Sequence, residues 1–97
     1  MNLGIAGRKA IVCGSSRGLG YGCALALAQE GCEVVVNGRD ENRLVQAADE
    51  IAKATGAKVI PVTADVAKPE GQRALFAACP EPDILVNNNA GPPMRDF

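Results

Sequence analysis

The stretch Cys13-Gly14-Ser15-Ser16-Arg17-Gly18-Leu19-Gly20 decides how this chain folds. Immediately before it, Lys9 to Cys13 is a short apolar run of the kind that forms a strand buried on both faces. After it, from about Leu19 to Glu30, small and aliphatic residues continue to Gly31, which stands where a left-handed helix cap is expected. This segment reads as a buried helix. Gly14, Gly18 and Gly20 therefore fall where the chain must turn sharply from strand into helix. Glycine in such a turn leaves backbone amides open to an anionic group, and the helix N-terminus adds a favourable dipole. A tight turn alone also asks for glycine, so the placement between strand and helix carries the reading.

The same alternation continues along the chain. Glu33 to Asn37 carries consecutive valines, whose branched side chains suit a strand, and Asn37-Gly38 reads as the turn that ends it. Asp40 can cap a helix starting near Glu41, where Leu44, Ala47, Ala48, Ile51 and Ala54 recur at spacings of three and four to make one apolar face. Gly56 closes that helix, and Lys58 to Thr63 reads as a third strand, with Pro61 marking it as irregular or at an edge. Pro69-Glu70 offers another helix start, leading to Ala74, Leu75 and Ala78. Ile84 to Val86 makes a fourth apolar run. Strands alternating with helices predict an α/β fold with a parallel sheet and helices on both faces, the N-terminal half of a doubly wound, Rossmann-type domain. With 97 residues and no linker-like or low-complexity segment, the whole span 1–97 reads as one domain.

Composition excludes several function classes. A net charge of −1 provides no electrostatic footprint for nucleic acid or an anionic membrane surface. The N-terminus lacks a basic start followed by an apolar run, and no stretch approaches the length of a membrane span. The expectation is a cytoplasmic protein. Cys13, Cys23, Cys32 and Cys79 contain no Cys-x-x-Cys pair, and the chain has no histidine, so a zinc site is not expected. Reduced, buried cysteines acting as small apolar residues are expected instead.

The glycine spacing Gly-x-x-x-Gly-x-Gly differs from the Gly-x-Gly-x-x-Gly dinucleotide fingerprint, because Cys23 occupies the last position of that pattern. It resembles instead the first turn of the short-chain dehydrogenase/reductase family, Thr-Gly-x-x-x-Gly-x-Gly. A second hallmark of that family, Asn-Asn-Ala-Gly, stands at Asn88, Asn89, Ala90 and Gly91, and the Asp65-Val66 pair matches the segment that comes after the third strand. The resemblance spans essentially the whole chain. It implies the NADP-binding portion of an oxidoreductase that transfers hydride between NADPH and a small carbonyl or alcohol substrate, with a 3-oxoacyl reductase among the plausible members, and a homo-oligomer when full length. By the same resemblance, Gly14, Ser15, Ser16, Arg17, Gly18, Leu19 and Gly20 line the diphosphate and ribose. Asp65 and Val66 hold the adenine, and Asn88 to Gly91 approach the adenosine ribose. The family commonly runs Asp-Ile-Leu-Val straight into Asn-Asn-Ala-Gly, whereas an additional asparagine follows Asp83-Ile84-Leu85-Val86 here. Counting from the strand puts Asn88 in the cofactor-facing role, and matching letters puts Asn89 there. Cys13 replaces the family threonine.

For the cofactor, an acid at the end of the second strand would bind a ribose 2′-hydroxyl and repel a 2′-phosphate. None is present; the strand runs out through Asn37 and Gly38 into Arg39, and Arg17 sits in the glycine-rich turn. Planar guanidinium groups donate paired hydrogen bonds to phosphate oxygens, so NADP is expected rather than NAD. Pairing of Arg39 with Asp40 or Glu41 in solvent is the competing reading. The family's catalytic tyrosine, with a lysine four positions later, has no counterpart: the sole tyrosine, Tyr21, is followed four residues on by Leu25 and reads as a packing residue. No catalytic residue is assigned, and the chain reads as a fragment whose catalytic half lies elsewhere. The alternatives are a truncated, noncatalytic nucleotide-binding or chain-association module, and a methyltransferase-type fold, against which Gly38-Arg39 speaks.

Overall fold

The computed structural model describes residues 6–15 and 18–87. Its elements alternate in chain order: β1 (Lys9–Cys13), α1 (Gly18–Gln29), β2 (Glu33–Gly38), α2 (Glu41–Thr55), β3 (Val59–Thr63), α3 (Pro69–Ala78) and β4 (Ile84–Asn87). All strand pairings are parallel, and the order across the sheet is β3-β2-β1-β4. This is the expected doubly wound α/β architecture.

Strand side chains alternate between faces, so a strand covered by helices on both sides needs apolar residues at successive positions. The valines of β2 meet that need. Val34 and Val36 join Val12 on one face, against Ala24 and Ala28 of α1 and Leu44, Ala48 and Ile51 of α2. Val35 joins Ile11 and Cys13 on the other, against Leu75 and Cys79 of α3 and its end. Local signals set the helix ends. The Asp40 carboxylate accepts the Arg43 amide at the start of α2, and Gly56, at φ 75°, closes that helix in the left-handed region. Pro69 opens α3.

Several expectations are corrected. α1 is not buried all round: Gly20, Ala24 and Ala28 are buried, while Leu19, Gly22 and Ala26 face outward. It lies against the sheet and α2 along one side, and its small apolar residues continue onto the open side. Ala54 is exposed, and the buried line of α2 comprises Leu44, Ala47, Ala48 and Ile51. In α3 the buried line is Gly71 and Leu75, four residues apart and so on one side of the helix, while Ala74 is exposed and Ala78 half-buried. Asn37-Gly38 is not a turn. Both residues belong to β2, paired with Val62 and Thr63 of β3, and the chain turns only after them. Among the described residues β3 and β4 stand at the outside of the sheet, consistent with Pro61 in one, and Leu85 of the other is 55% exposed. No helix among the described residues is long and apolar enough to cross a membrane.

Candidate functional site

In a sheet of parallel strands, every strand ends at the same edge. Gly14 follows β1, Arg39 follows β2 and Asp65 lies two residues beyond β3, so chain topology alone gathers these segments along one rim. From β1 the chain crosses to one side to build β2 and β3, and β4 then returns on the other side of β1. A crevice opens where strand order reverses in this way, and in open α/β sheets it is the general location of ligand sites.

The glycine-rich turn sits at that reversal. Gly14 and Gly18 have φ values of 64° and 67°, a region that side-chain-bearing residues seldom adopt, so these two positions demand glycine. Gly20 is buried in the first turn of α1, and Leu19 is 74% exposed. The first turn of α1 has no acidic residue, so nothing there opposes an anion at its N-terminus.

Ser15 lies behind the turn rather than on it. It is fully buried; its amide donates to the Asn37 carbonyl at 2.7 Å and its hydroxyl to the Val12 carbonyl at 2.8 Å. The Asn37 amide in turn donates to the Ser15 hydroxyl oxygen at 2.8 Å. Ser15 and Asn37 are the buried polar residues among those described, and no buried side-chain nitrogen or oxygen among them lacks a hydrogen-bond partner. The Asn37 side chain donates to the carbonyls of Val62 at 3.0 Å and Ala64 at 3.1 Å, and its Oδ1 faces the Gly14 amide at 3.5 Å.

Arg39 is exposed at the end of β2 and forms no ion pair among the described residues. Asp40, its expected competitor partner, instead caps α2 and lies 3.8 Å from Arg43. Asp65 is half-buried, with Oδ1 accepting the Ala67 amide at 2.9 Å and its carbonyl accepting the Lys68 amide at 3.1 Å. Val66 packs onto the cluster around Leu75, and the Gln72 side chain donates to its carbonyl at 3.0 Å. Gly71 presses against this bend so closely that a Cβ there would overlap the Asp65 carbonyl.

Ser16, Arg17, Asn88, Asn89, Ala90 and Gly91 lie outside the described residues. Asn87 is the last residue of β4 and pairs with Cys13. Tyr21 donates its hydroxyl to Glu50 of α2 at 3.0 Å, and that hydrogen bond, with lesser help from burial and the Glu50 charge, raises its pKa above the usual 10.0. Burial pushes the Cys13 thiol up as well, opposite to what a reactive thiolate needs. No disulfide links the cysteines among the described residues; Cys13, Cys32 and Cys79 are buried and Cys23 half-buried. Sequence reasoning missed two residues at this rim. Asn37 reads as turn punctuation, and Gly71 carries no local signal in the sequence that sets it apart.

Comparison with known proteins decides the family. The model of the short chain dehydrogenase family matches residues 8–97. The chain belongs to the short-chain dehydrogenase family. It is 43% identical over 89 residues to the uncharacterized oxidoreductase YvaG of Bacillus subtilis, covering 91% of this chain and 34% of that protein. It is 36% identical to glucose 1-dehydrogenase of Gluconobacter oxydans, covering 86% of this chain and 33% of the relative. Among solved structures, L-sorbose reductase from Gluconobacter frateurii complexed with NADPH and L-sorbose superposes with a TM-score of 0.86 at 38% identity, over 100% of this chain and 38% of the other. The chain thus spans about a third of the length of these family relatives.

Proposed function

We propose that this chain is the NADP-binding portion of an oxidoreductase that moves hydride between NADPH and a small carbonyl or alcohol substrate. The observation that carries the reading is the turn at the strand-order reversal, with Gly14 and Gly18 at positive φ leading into a helix whose first turn has no acid. Such a turn suits a diphosphate, whose charge needs amide donors without side chains in the way. Family relatives named for glucose and L-sorbose share this same third of their length, which favours a common cofactor role for it over a role in substrate choice.

In this reading the residues from Gly14 to Gly20 cradle the diphosphate, with Ser15 supporting the turn from within. Asp65 and Val66 hold the adenine, and Asn88 to Gly91 approach the ribose. Arg39, exposed and without an ion pair among the described residues, flanks a 2′-phosphate together with Arg17. When bound, the nicotinamide supplies the hydride. Tyr21, occupied by Glu50, takes no part in proton transfer. Cysteines that form no disulfide accord with a cytoplasmic location, and a homo-oligomer is the assembly we propose for the whole protein.

Replacing Arg39 by aspartate tests the cofactor assignment. Loss of charge-assisted hydrogen bonds worth about 1.5–3 kcal/mol should weaken NADPH binding roughly ten- to hundredfold while sparing NADH. Titration followed by cofactor fluorescence reads both affinities. An unchanged NADPH to NADH ratio removes the case for NADP, and no saturation by either cofactor removes the site.

A further inference from the structure

We infer that Asn37 is a positioning residue for the cofactor, a clamp that holds the diphosphate turn and the adenine-side bend at a fixed separation. The inference rests on the site proposed above and adds to it the residue that sets its geometry. Asn37 is 2% exposed, so its side chain is turned into the protein, yet it meets three chain segments at the rim. Its backbone amide and carbonyl pair with Ser15, directly after the first glycine of the turn. Its side-chain nitrogen donates both hydrogens across the sheet, one to Val62 within β3 and one to Ala64, the residue before Asp65. Its side-chain oxygen turns the other way, toward the Gly14 amide, in a contact that at 3.5 Å is long.

The chemistry singles out an amide at this position. The β3 side presents two carbonyl oxygens, which match a donor of two protons, and the β1 side presents the Gly14 N–H, which faces an acceptor. Aspartate would set a carboxylate against the two carbonyls, and leucine of similar size would leave them without these donors. Glutamine adds a methylene to a site already filled. A buried polar group whose partners are all supplied holds its surroundings in one arrangement. Here the parts so held are Gly14 and Ser15 on one side and Ala64, just before Asp65, on the other, the two ends of the proposed cradle. Preorganising both before the cofactor arrives lowers the ordering cost of binding.

The test uses the intact protein and measures dissociation constants for ADP, NADH and NADPH in wild type, Asn37→Leu, Asn37→Ser and Ser15→Ala. Ile51→Val serves as control, because it loosens the core in the cluster of α1 and α2 without touching the clamp. Circular dichroism establishes that each variant is folded at the temperature of titration. Asn37→Ser retains a polar group that donates at most once, and it carries the test if Asn37→Leu does not fold. The expected result is a common loss of roughly tenfold in affinity for all three ligands, with the NADPH to NADH ratio unchanged and Ile51→Val binding as wild type does. Wild-type affinity in the Asn37 variants, a changed cofactor ratio, or an equal loss in Ile51→Val would each overturn the clamp. Failure of wild type itself to bind any of the three would instead refute the underlying site.

Discussion

Adding one methyl group at Gly71 should damage this protein even though alanine is the better helix former. Gly71 lies in the first turn of α3, where replacing glycine by alanine ordinarily gains about 1 kcal/mol in helix propensity. A Cβ built there would stand 2.6 Å from the Asp65 carbonyl carbon and 3.2 Å from its amide nitrogen, with the carbonyl oxygen nearer still. Comfortable carbon contacts need about 3.5–4.0 Å, so the Asp65 peptide must retreat by roughly 1 Å. It is not free to do so: its carbonyl accepts the Lys68 amide, its carboxylate accepts the Ala67 amide, and Asn37 holds the Ala64 carbonyl beside it. Overpacking of this kind costs about 1–3 kcal/mol, which exceeds the propensity gain. Gly71→Ala should therefore lose about 1 kcal/mol net, lowering the thermal midpoint by ~4–8 °C for a unit of this size, and should weaken ADP binding because the adenine-side bend is displaced. Thermal unfolding followed by circular dichroism, with ADP titration on the folded variant, measures both. A variant at least as stable as wild type, with unaltered ADP affinity, would show that Gly71 does not support the Asp65 bend.

Asp40→Ala removes the acceptor of the Arg43 amide and should cost about 0.5–2 kcal/mol, read from denaturant midpoints, with Asp40→Asn retaining most of the stability. Tyr21 titrates higher in the folded than in the unfolded chain, so its contribution to stability is complete below pH 10 and is lost as pH rises through the folded value. Tyr21→Phe should accordingly lose stability less steeply than wild type above pH 10; parallel curves would show that the Glu50 contact contributes nothing. Thiol labelling of the native protein followed by mass spectrometry should modify Cys23 first and Cys13, Cys32 and Cys79 only on unfolding, since the latter three are buried; early labelling of Cys13 would contradict the structure.

Much of this molecule is readable from local signals alone. A run of valines meets a strand buried on both faces, Asp40 and Gly56 mark the helix they bound, and glycines between strand and helix mark the turn. Each depends on backbone stereochemistry or period, properties a few adjacent residues carry by themselves. Family membership is legible for the same reason, since its hallmark residues are short and contiguous.

Roles that depend on what lies across the sheet are settled only by tertiary structure. Asn37-Gly38 has the letters of a turn, yet pairing with β3 holds it in the sheet, and pairing with Ser15 makes it an internal polar clamp. Ser15 reads as a ligand contact until burial shows its hydroxyl and amide both engaged within the chain. Gly71 acquires meaning from Asp65, six residues earlier but folded back against it. The helix from Gly18 to Gln29 has apolar letters all round, and only its neighbours decide which side is covered. Sequence specifies which backbone shapes each segment can take; which side chains end up buried together is a property of the assembled sheet and its covering helices.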